Sequence, residues 1–532
     1  MKRFKLSVGI QSFLICMILL FAGWNANSQI LTRPQQKLVL AMELINRYYV
    51  DSVNADKMVE KALVKILEDL DPHSNYMTPE EVKEMNEPLQ GNFEGIGVSF
   101  NILNDTILII NPVPGGPSEK LGIRAGDKII KINNDKVAGI GISNKGVFER
   151  LRGAKGTKVN VSIKRNGERE LLEFTITRDK IPINSLDAAY MIDDKIGYIK
   201  LNRFAITTVK EFLLALDSLK KHGMKNLILD LEGNGGGYLE EAFKLANQFL
   251  SKNKLIVYTE GINSPRIEYD SDEKGEFEKG NLVVLIDESS ASASEIVTGA
   301  LQDWDRAVIV GRRSFGKGLV QRPFDLHDGS MLRLTVARYY TPTGRLIQKS
   351  YQKGLKEYEN DLMNRYKHGE FITADSIHMP DSLVYYTKEK HRKVYGGGGI
   401  MPDVFVPLDT ANYSDYYRDL VRKGILNQFI LTYIDKNRQA LNAKYPDFKE
   451  FKEKFTVSDA IFDEMVAFGE KEKLKVNQKD IAISGTTIRK LIKAYLARDL
   501  FNTSEFYEIY NQDETTVQKA IFILNNWNKY GI

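Results

Sequence analysis

Cysteine is nearly absent: the 532 residues hold one, Cys16. A disulfide scaffold and a cysteine-rich zinc site are thereby excluded. Histidine is scarce as well. His73, His222, His327, His368, His378 and His391 lie far apart and in no motif, so each reads as a surface or capping residue. There is no H-E-x-x-H for metalloprotease chemistry and no G-x-S-x-G nucleophile elbow. An excess of one charge is also missing. The net charge of +4 is too small to make nucleic acid or an anionic membrane the main partner. Beyond the amino terminus no apolar run is long enough to span a bilayer. Against these absences, 43% of the residues are hydrophobic and 10% aromatic, enough for packed cores. A chain of this length divides into several domains.

The amino terminus has the pattern of a secretory leader. Lys2, Arg3 and Lys5 form a positive start, Leu6 to Phe21 an apolar stretch, and Ala26-Asn27-Ser28 a small-residue site for a cut before Gln29. Residues 1–28 are therefore expected to be a signal peptide, and the protein to be exported and periplasmic. An uncleaved anchor in the inner membrane is the other reading of the same run. Ile15 is too large before Cys16 for lipoprotein processing.

Residues 29–90 are expected to be helical. Leu38, Ala41, Met42, Ile45 and Tyr49 share one helical face, and Val59, Leu63, Ile66 and Leu70 another. Asp71-Pro72 stops the second helix, because proline disfavours helical geometry in the residue before it. Residues 91–180 then change character. Strand-like runs at Ile96–Phe100, Thr106–Asn111, Asp127–Ile132, Lys158–Lys164 and Glu170–Thr177 are separated by turn signals, with one short helix near Asn144–Leu151. From residue 181 to about 410, strands and helices alternate. Lys225–Leu231 and Leu282–Asp287 are continuous apolar strands of the kind buried on both faces. Residues 350–395 are charged, tyrosine-rich and weakly periodic, and read as an insertion or mobile flap. Asp403–Pro407 reads as a return to the sheet, and residues 411–532 as helical, with Ile488, Leu491, Ile492, Tyr495 and Leu496 on one face.

Three segments fall where strands of the α/β region end, the places where sites gather in such sheets. Asp230-Leu231-Glu232-Gly233-Asn234-Gly235-Gly236-Gly237 would let backbone N–H groups face a bound oxygen, or would form a plain strand-to-helix turn. Ser289-Ser290-Ala291-Ser292-Ala293-Ser294-Glu295 would put a serine beside a helix N-terminus, although Ser292 to Glu295 equally fits a capping box. Gly311 to Gly318 approaches a phosphate-binding P-loop. Gly318 stands where Ser or Thr must hold magnesium, and Val320 to Phe324 is a poor helix. Ser314 and Lys317 also match S-x-x-K, but that spacing recurs at Ser218 and Ser251, and its companion motifs are absent.

Taken in order, these segments resemble the carboxyl-terminal processing peptidases, or tail-specific proteases, of serine peptidase family S41. The resemblance runs from about Tyr48 to Pro407. It rests on Gly95-Ile96-Gly97-Val98, Leu121 to Asp127, Asp230-Leu231 with Asn234 and Gly236-Gly237, Ser290 to Glu295, and Gly316-Lys317-Gly318 with Gln321. It implies an α/β fold with a crotonase-like catalytic core, an inserted PDZ domain over residues 91–180, and helical regions at both ends. It implies Ser292 as nucleophile, Lys317 as general base and Gln321 as the residue that orients the lysine. Gly236 and Ala293 become oxyanion-hole donors, and Gly95, Ile96, Gly97 and Val98 the peptide-binding loop of the PDZ domain. It implies no metal and no cofactor. Its partners would be protein or peptide substrates with exposed C-termini, not nucleic acid; a homo-oligomer or an adaptor is left open. The chemistry agrees with the residue types. A lysine serves as base only when its pKa is lowered, and a glutamine, unlike a carboxylate, supports the neutral amine without favouring the charged form. Two departures stand out: Glu232 where the family has arginine, and Gly235 where it has proline. An acid at that turn would weaken the oxyanion hole if it pointed inward, and the alternative is then a non-catalytic PDZ scaffold that captures peptide tails.

Overall fold

The computed structural model describes residues 31–379 and 381–530. The expected leader, residues 1–28, lies outside them, as does Cys16. The chain divides into two units between Leu70 and Asp71. The first contains helices Arg33–Tyr48 and Ala55–Glu68. Asn54 caps the second by accepting the Lys57 N–H. Helix Arg33–Tyr48 has no buried residue and leaves Leu38, Leu44, Ile45 and Tyr48 exposed.

In the second unit, helix Pro79–Leu89 precedes a strand-rich region. Five antiparallel strands lie in the order Val98–Leu103, Thr106–Pro112, Lys128–Ile132, Lys158–Lys164 and Leu172–Thr177, with helix Asn144–Leu151 beside them. Val98–Leu103 is an edge strand. Side chains alternate across a strand. Ile107 and Ile109 accordingly enter this region's own core, while Leu108 and Ile110 pack with Leu103 on Leu431 of helix Ile425–Lys444. Lys128 pairs with Asp435 of that helix at 2.7 Å. Helix Ile425–Lys444 thus packs on the back of the sheet.

The α/β region holds a six-stranded sheet. Ile196–Leu201, Asn226–Asp230, Leu282–Ile286, Val308–Gly311 and Val404–Phe405 run parallel, and Leu186–Met191 joins antiparallel at one edge. Leu227, Leu229, Val284 and Ile286 face helices Thr208–Lys221, Leu239–Asn247 and Ala293–Asp303. Ile228, Val283 and Leu285 face Val517, Ala520 and Ile523 of helix Thr515–Asn525. Both faces are covered, which explains the unbroken apolar runs. A second, antiparallel sheet contains Asn75–Met77, Leu255–Gly261, Ser264–Asp270, Leu319–Asp325 and Met331–Tyr340. The segment after Lys317 is therefore a strand, Leu319–Asp325, and not the helix that a P-loop requires.

Residues 350–395, expected to be an insertion or flap, carry regular structure. They form helices Leu355–Glu359 and Asp361–Lys367 and a hairpin, Val384–Tyr386 with Lys393–Tyr395. Their charges serve as partners. Arg365 and Arg313 share Glu370 at 2.9 and 2.7 Å, Lys349 meets Asp361, and Arg392 bridges Asp305 and Asp403. The carboxyl-terminal helices, from Asp415–Arg422 onward, enclose a core of their own rich in phenylalanine and tyrosine.

Candidate active site

The three segments singled out above converge on one cavity of about 1180 Å³, lined by Gly236, Ser292, Lys317 and Gln321. Leu231 follows one parallel strand and Asp287 the next, so sheet geometry brings the glycine turn and the serine run together. Asp287 Oδ1 accepts the N–H groups of Gly233 (2.9 Å), Ser289 (3.0 Å) and Ser290 (3.0 Å), tying one turn to the other.

Hydrogen bonding separates the serines. Ser290 donates to the Leu231 carbonyl at 2.8 Å and Ser294 to the Asn234 carbonyl at 2.8 Å; both are fully buried. Ser292 is half-buried at the cavity, where it takes part in a capping box with Glu295 and its hydroxyl donates to no carbonyl among the described residues. Its φ of 56° is a left-handed conformation that a non-glycine residue adopts only when its surroundings impose it. Here they are Glu295 and Tyr339. The Glu295 carboxylate, fully buried, accepts the N–H groups of Ser292 (2.8 Å), Lys317 (2.9 Å) and Gly316 (2.7 Å) and the Ser314 hydroxyl (2.5 Å). Burial pushes this carboxyl up to about 7 against those hydrogen bonds. The single proton of the Tyr339 hydroxyl is shared between the carbonyls of Lys317 (2.5 Å) and Ser292 (3.1 Å). Glu295 is thus more than the capping residue the sequence pattern suggested. With Tyr339 it holds the backbones of Ser292 and Lys317 in one frame.

Burial lowers the Lys317 amine to about 8, aided by the positive Arg333 guanidinium and opposed by Glu295 and Asp71. Gln321 lies on the strand after Lys317, beyond a register shift, and its Nε2 donates to Thr335 Oγ1 at 3.4 Å. His73 corrects the reading of every histidine as a surface or capping residue. It is partly buried, its Nε2 lies 2.8 Å from the Tyr358 hydroxyl, and burial followed by the Lys317 charge lowers it to about 4. Its sequence context carried no signal, because Tyr358 stands 285 residues away.

The expected oxyanion donors are unequal. Among the described residues no hydrogen bond engages the Ala293 N–H, at the first position of its helix. The Gly236 N–H donates to Asn234 Oδ1 at 2.9 Å. At Gly236 φ is +100°, and a Cβ would stand 2.8 Å from both the Ala291 carbonyl oxygen and Ser292 Cβ. Gly236→Ala should therefore displace this turn and lower kcat/KM about 10²–10³-fold, the scale of a misplaced oxyanion donor, the role expected of Gly236. Gly235→Ala, whose Cβ would meet nothing within 4 Å, should stay close to wild type. Steady-state kinetics on a peptide substrate measures both.

Glu232 does not line the cavity. Its carbonyl accepts Lys200 Nζ at 3.0 Å, and burial with the nearby Asp230 charge pushes its carboxyl well up, opposed by Lys200 and Arg312. The departure from arginine therefore leaves no acid among the cavity walls at this turn.

In the strand-rich region, Gly95 ends strand Asn92–Gly95 and pairs with Asp179. The carbonyls of Ile96 and Gly97 accept the N–H groups of Ser118 and Val113, and among the described residues no hydrogen bond engages the Ile96 or Gly97 N–H. Gly97 has φ +73°. Val98 opens the edge strand Val98–Leu103, where Val98 and Phe100 pack beside Val147 and Leu151 of helix Asn144–Leu151. An edge strand with a helix alongside suits an added peptide strand.

Comparison with known proteins agrees with this division. Residues 195–357 match the model of peptidase family S41, residues 95–176 the PDZ domain, and residues 416–502 a family of unknown function, DUF8443. The carboxy-terminal processing protease CtpA of Bacillus subtilis (strain 168) is 36% identical over 343 residues, 64% of this chain and 72% of that protein. A probable CtpA-like serine protease of Staphylococcus aureus (strain MRSA252) is 36% identical over 322 residues, 60% of this chain and 63% of that one. Among solved structures, a photosystem II D1 C-terminal processing protease is 30% identical with a TM-score of 0.33, covering 59% of this chain and 90% of that one.

Proposed function

Because this chain belongs to peptidase family S41, the carboxy-terminal processing serine proteases, we propose that it cleaves exported proteins with a Ser292–Lys317 dyad on a crotonase-type core, after its PDZ domain has engaged the substrate's C-terminal tail. The observation that carries this reading is the shared frame of Glu295 and Tyr339. It holds a strained, half-buried serine and a desolvated lysine on one cavity.

In this reading Lys317 Nζ, neutral, takes the proton from Ser292 Oγ as the oxygen attacks the peptide carbonyl. Gln321 orients the amine. The oxyanion of the tetrahedral intermediate receives the Ala293 N–H, at a helix N-terminus where negative charge is stabilised. The Gly236 N–H joins it once the turn exchanges Asn234 Oδ1 for the substrate oxygen. Gly235, in place of a proline, leaves that turn free to reorganise. Lys317 then protonates the departing amine, and a water activated by the same lysine hydrolyses the acyl-enzyme. The N–H groups of Ile96 and Gly97 receive the terminal carboxylate of the tail, which lies along strand Val98–Leu103. Export follows from the leader pattern, with the mature chain starting at Gln29.

The test uses protein starting at Gln29. An unstructured protein with an apolar tail, and the same protein with a charged tail, are incubated with wild type and with Ser292→Ala, and products are read by mass spectrometry. Cleavage is expected with wild type alone and should slow with the charged tail. Equal cleavage by Ser292→Ala refutes the dyad. Equal rates on both tails refute tail recognition.

A further inference from the structure

We propose that Asp71 is a positioning residue for the reaction: through Thr335 it decides which end of the Gln321 amide faces Lys317. This rests on the reading of Lys317 as base and Gln321 as its partner, and adds a residue that this reading does not contain.

Asp71 is 9% exposed, and its carboxylate accepts four hydrogen bonds. Oδ1 accepts the N–H groups of His73 (2.8 Å) and Ser74 (2.9 Å) and the Thr335 hydroxyl (3.0 Å); Oδ2 accepts the Ser74 hydroxyl (2.6 Å). Burial pushes the carboxyl up, but these hydrogen bonds together hold it below its usual range. An ionised carboxylate only accepts. A threonine hydroxyl has a single proton, and Thr335 gives it to Asp71. Thr335 Oγ1 must then accept from whatever lies on its other side, which is Gln321 Nε2 at 3.4 Å. The amide NH₂ is thereby assigned to Thr335, and Oε1 is left as an acceptor at the cavity that Gln321 shares with Lys317.

Thr335 cannot turn away from this arrangement. Its own N–H donates to the Ser74 hydroxyl at 3.0 Å, and it stands opposite Gln321 in the strand register. An acceptor facing the amine takes one N–H and leaves the lone pair for the serine proton. A reversed amide would present two donors to a group that must bind a proton. Five charges bear on Lys317 and its neighbour His73: Arg333, Glu295, Asp71 and Lys349, with Lys317 itself acting on His73. Removing the Asp71 charge therefore moves the pH midpoint as well as the amide, whereas removing the Thr335 hydroxyl moves only the amide.

The experiment measures kcat, KM and the pH profile for Thr335→Val, Thr335→Ser, Asp71→Asn, Gln321→Ala and the double variant Gln321→Ala with Thr335→Val. Thr335→Val should lower kcat about tenfold with KM unchanged, as expected of an outer hydrogen-bond partner. Thr335→Ser should restore it. Asp71→Asn should lower kcat and move the profile to lower pH. The double variant should be no slower than Gln321→Ala alone. A Thr335→Val enzyme with wild-type kcat, or losses that multiply in the double variant, overturn the proposal while Gln321→Ala remains impaired. An unimpaired Gln321→Ala overturns the underlying role of Gln321 as well.

Discussion

An enzyme carrying Lys317→Met should lose peptide cleavage by roughly 10⁴–10⁶-fold, the scale on which serine hydrolases respond to loss of their base, and should at the same time be the more stable protein. The two effects have one cause. Burial, with the Arg333 charge, brings the Lys317 amine down to about 8 from the 10.5 of an exposed lysine. At pH 7 the neutral fraction rises from roughly 3 in 10⁴ to about a tenth, and only the neutral amine accepts a proton. The folded chain therefore binds this proton more weakly than the unfolded chain does. The penalty is complete below about pH 8 and fades as pH rises toward 10.5. Removing the amine at pH 7 should return on the order of 3 kcal/mol. In the wild type, kcat/KM should climb tenfold per pH unit up to about 8 and level off above it. His73 offers the contrast: lowered to about 4, it is neutral across this whole range. A profile that turned near pH 4, or a Lys317→Met enzyme with unchanged activity, would remove the lysine from the mechanism.

The sequence carried this site unevenly, and the reason is the distance over which each feature is encoded. Helix Asn144–Leu151 and strand Lys158–Lys164 have the boundaries read from periodicity, because turn and cap signals lie beside them. The run Ile107-Leu108-Ile109-Ile110 was read as part of a strand, but not as one whose second face Leu431 covers. Ser292 and Lys317 were singled out because they sit in ordered motifs. Pattern alone left Ser292 as a capping candidate, and only the bonds of Ser290 and Ser294 to neighbouring carbonyls set it apart. Asp71 was read purely as a helix stop. Its partner Thr335 is 264 residues away. The partners of the charges in residues 350–395 were hidden for the same reason, since Arg365 finds the Ser314 and Arg313 carbonyls only in three dimensions.

Just before that segment stands the residue whose loss should cost most in stability. Arg345 is fully buried, and its guanidinium donates to Asp303 Oδ1 at 2.5 Å, Gln302 Oε1 at 3.1 Å and the Tyr395 carbonyl at 3.0 Å. Asp303 closes the helix that begins behind Ser292, and a negative charge at a helix C-terminus is unfavourable. Its other oxygen accepts the Thr343 N–H (2.9 Å) and hydroxyl (2.8 Å), so the acid cannot swing out to water. Arg345→Ala would strand that carboxylate in the core, at a cost of about 3–5 kcal/mol. Trp304, next in the chain, donates to the Leu255 carbonyl at 2.7 Å, and its fluorescence should report the loss in urea unfolding. Asp303→Asn on the Arg345→Met background removes the stranded charge, so the double variant should be more stable than Arg345→Met alone. Equal stability of the two would show that the pair does not hold this end of the helix. Loss of the anchor should also reach the chemistry, because Glu295, one turn into the same helix, sets the backbones of Ser292 and Lys317. An Arg345 variant that stays folded at low temperature should then fall in kcat before KM changes, since the geometry of the reacting groups loosens while the cavity walls remain.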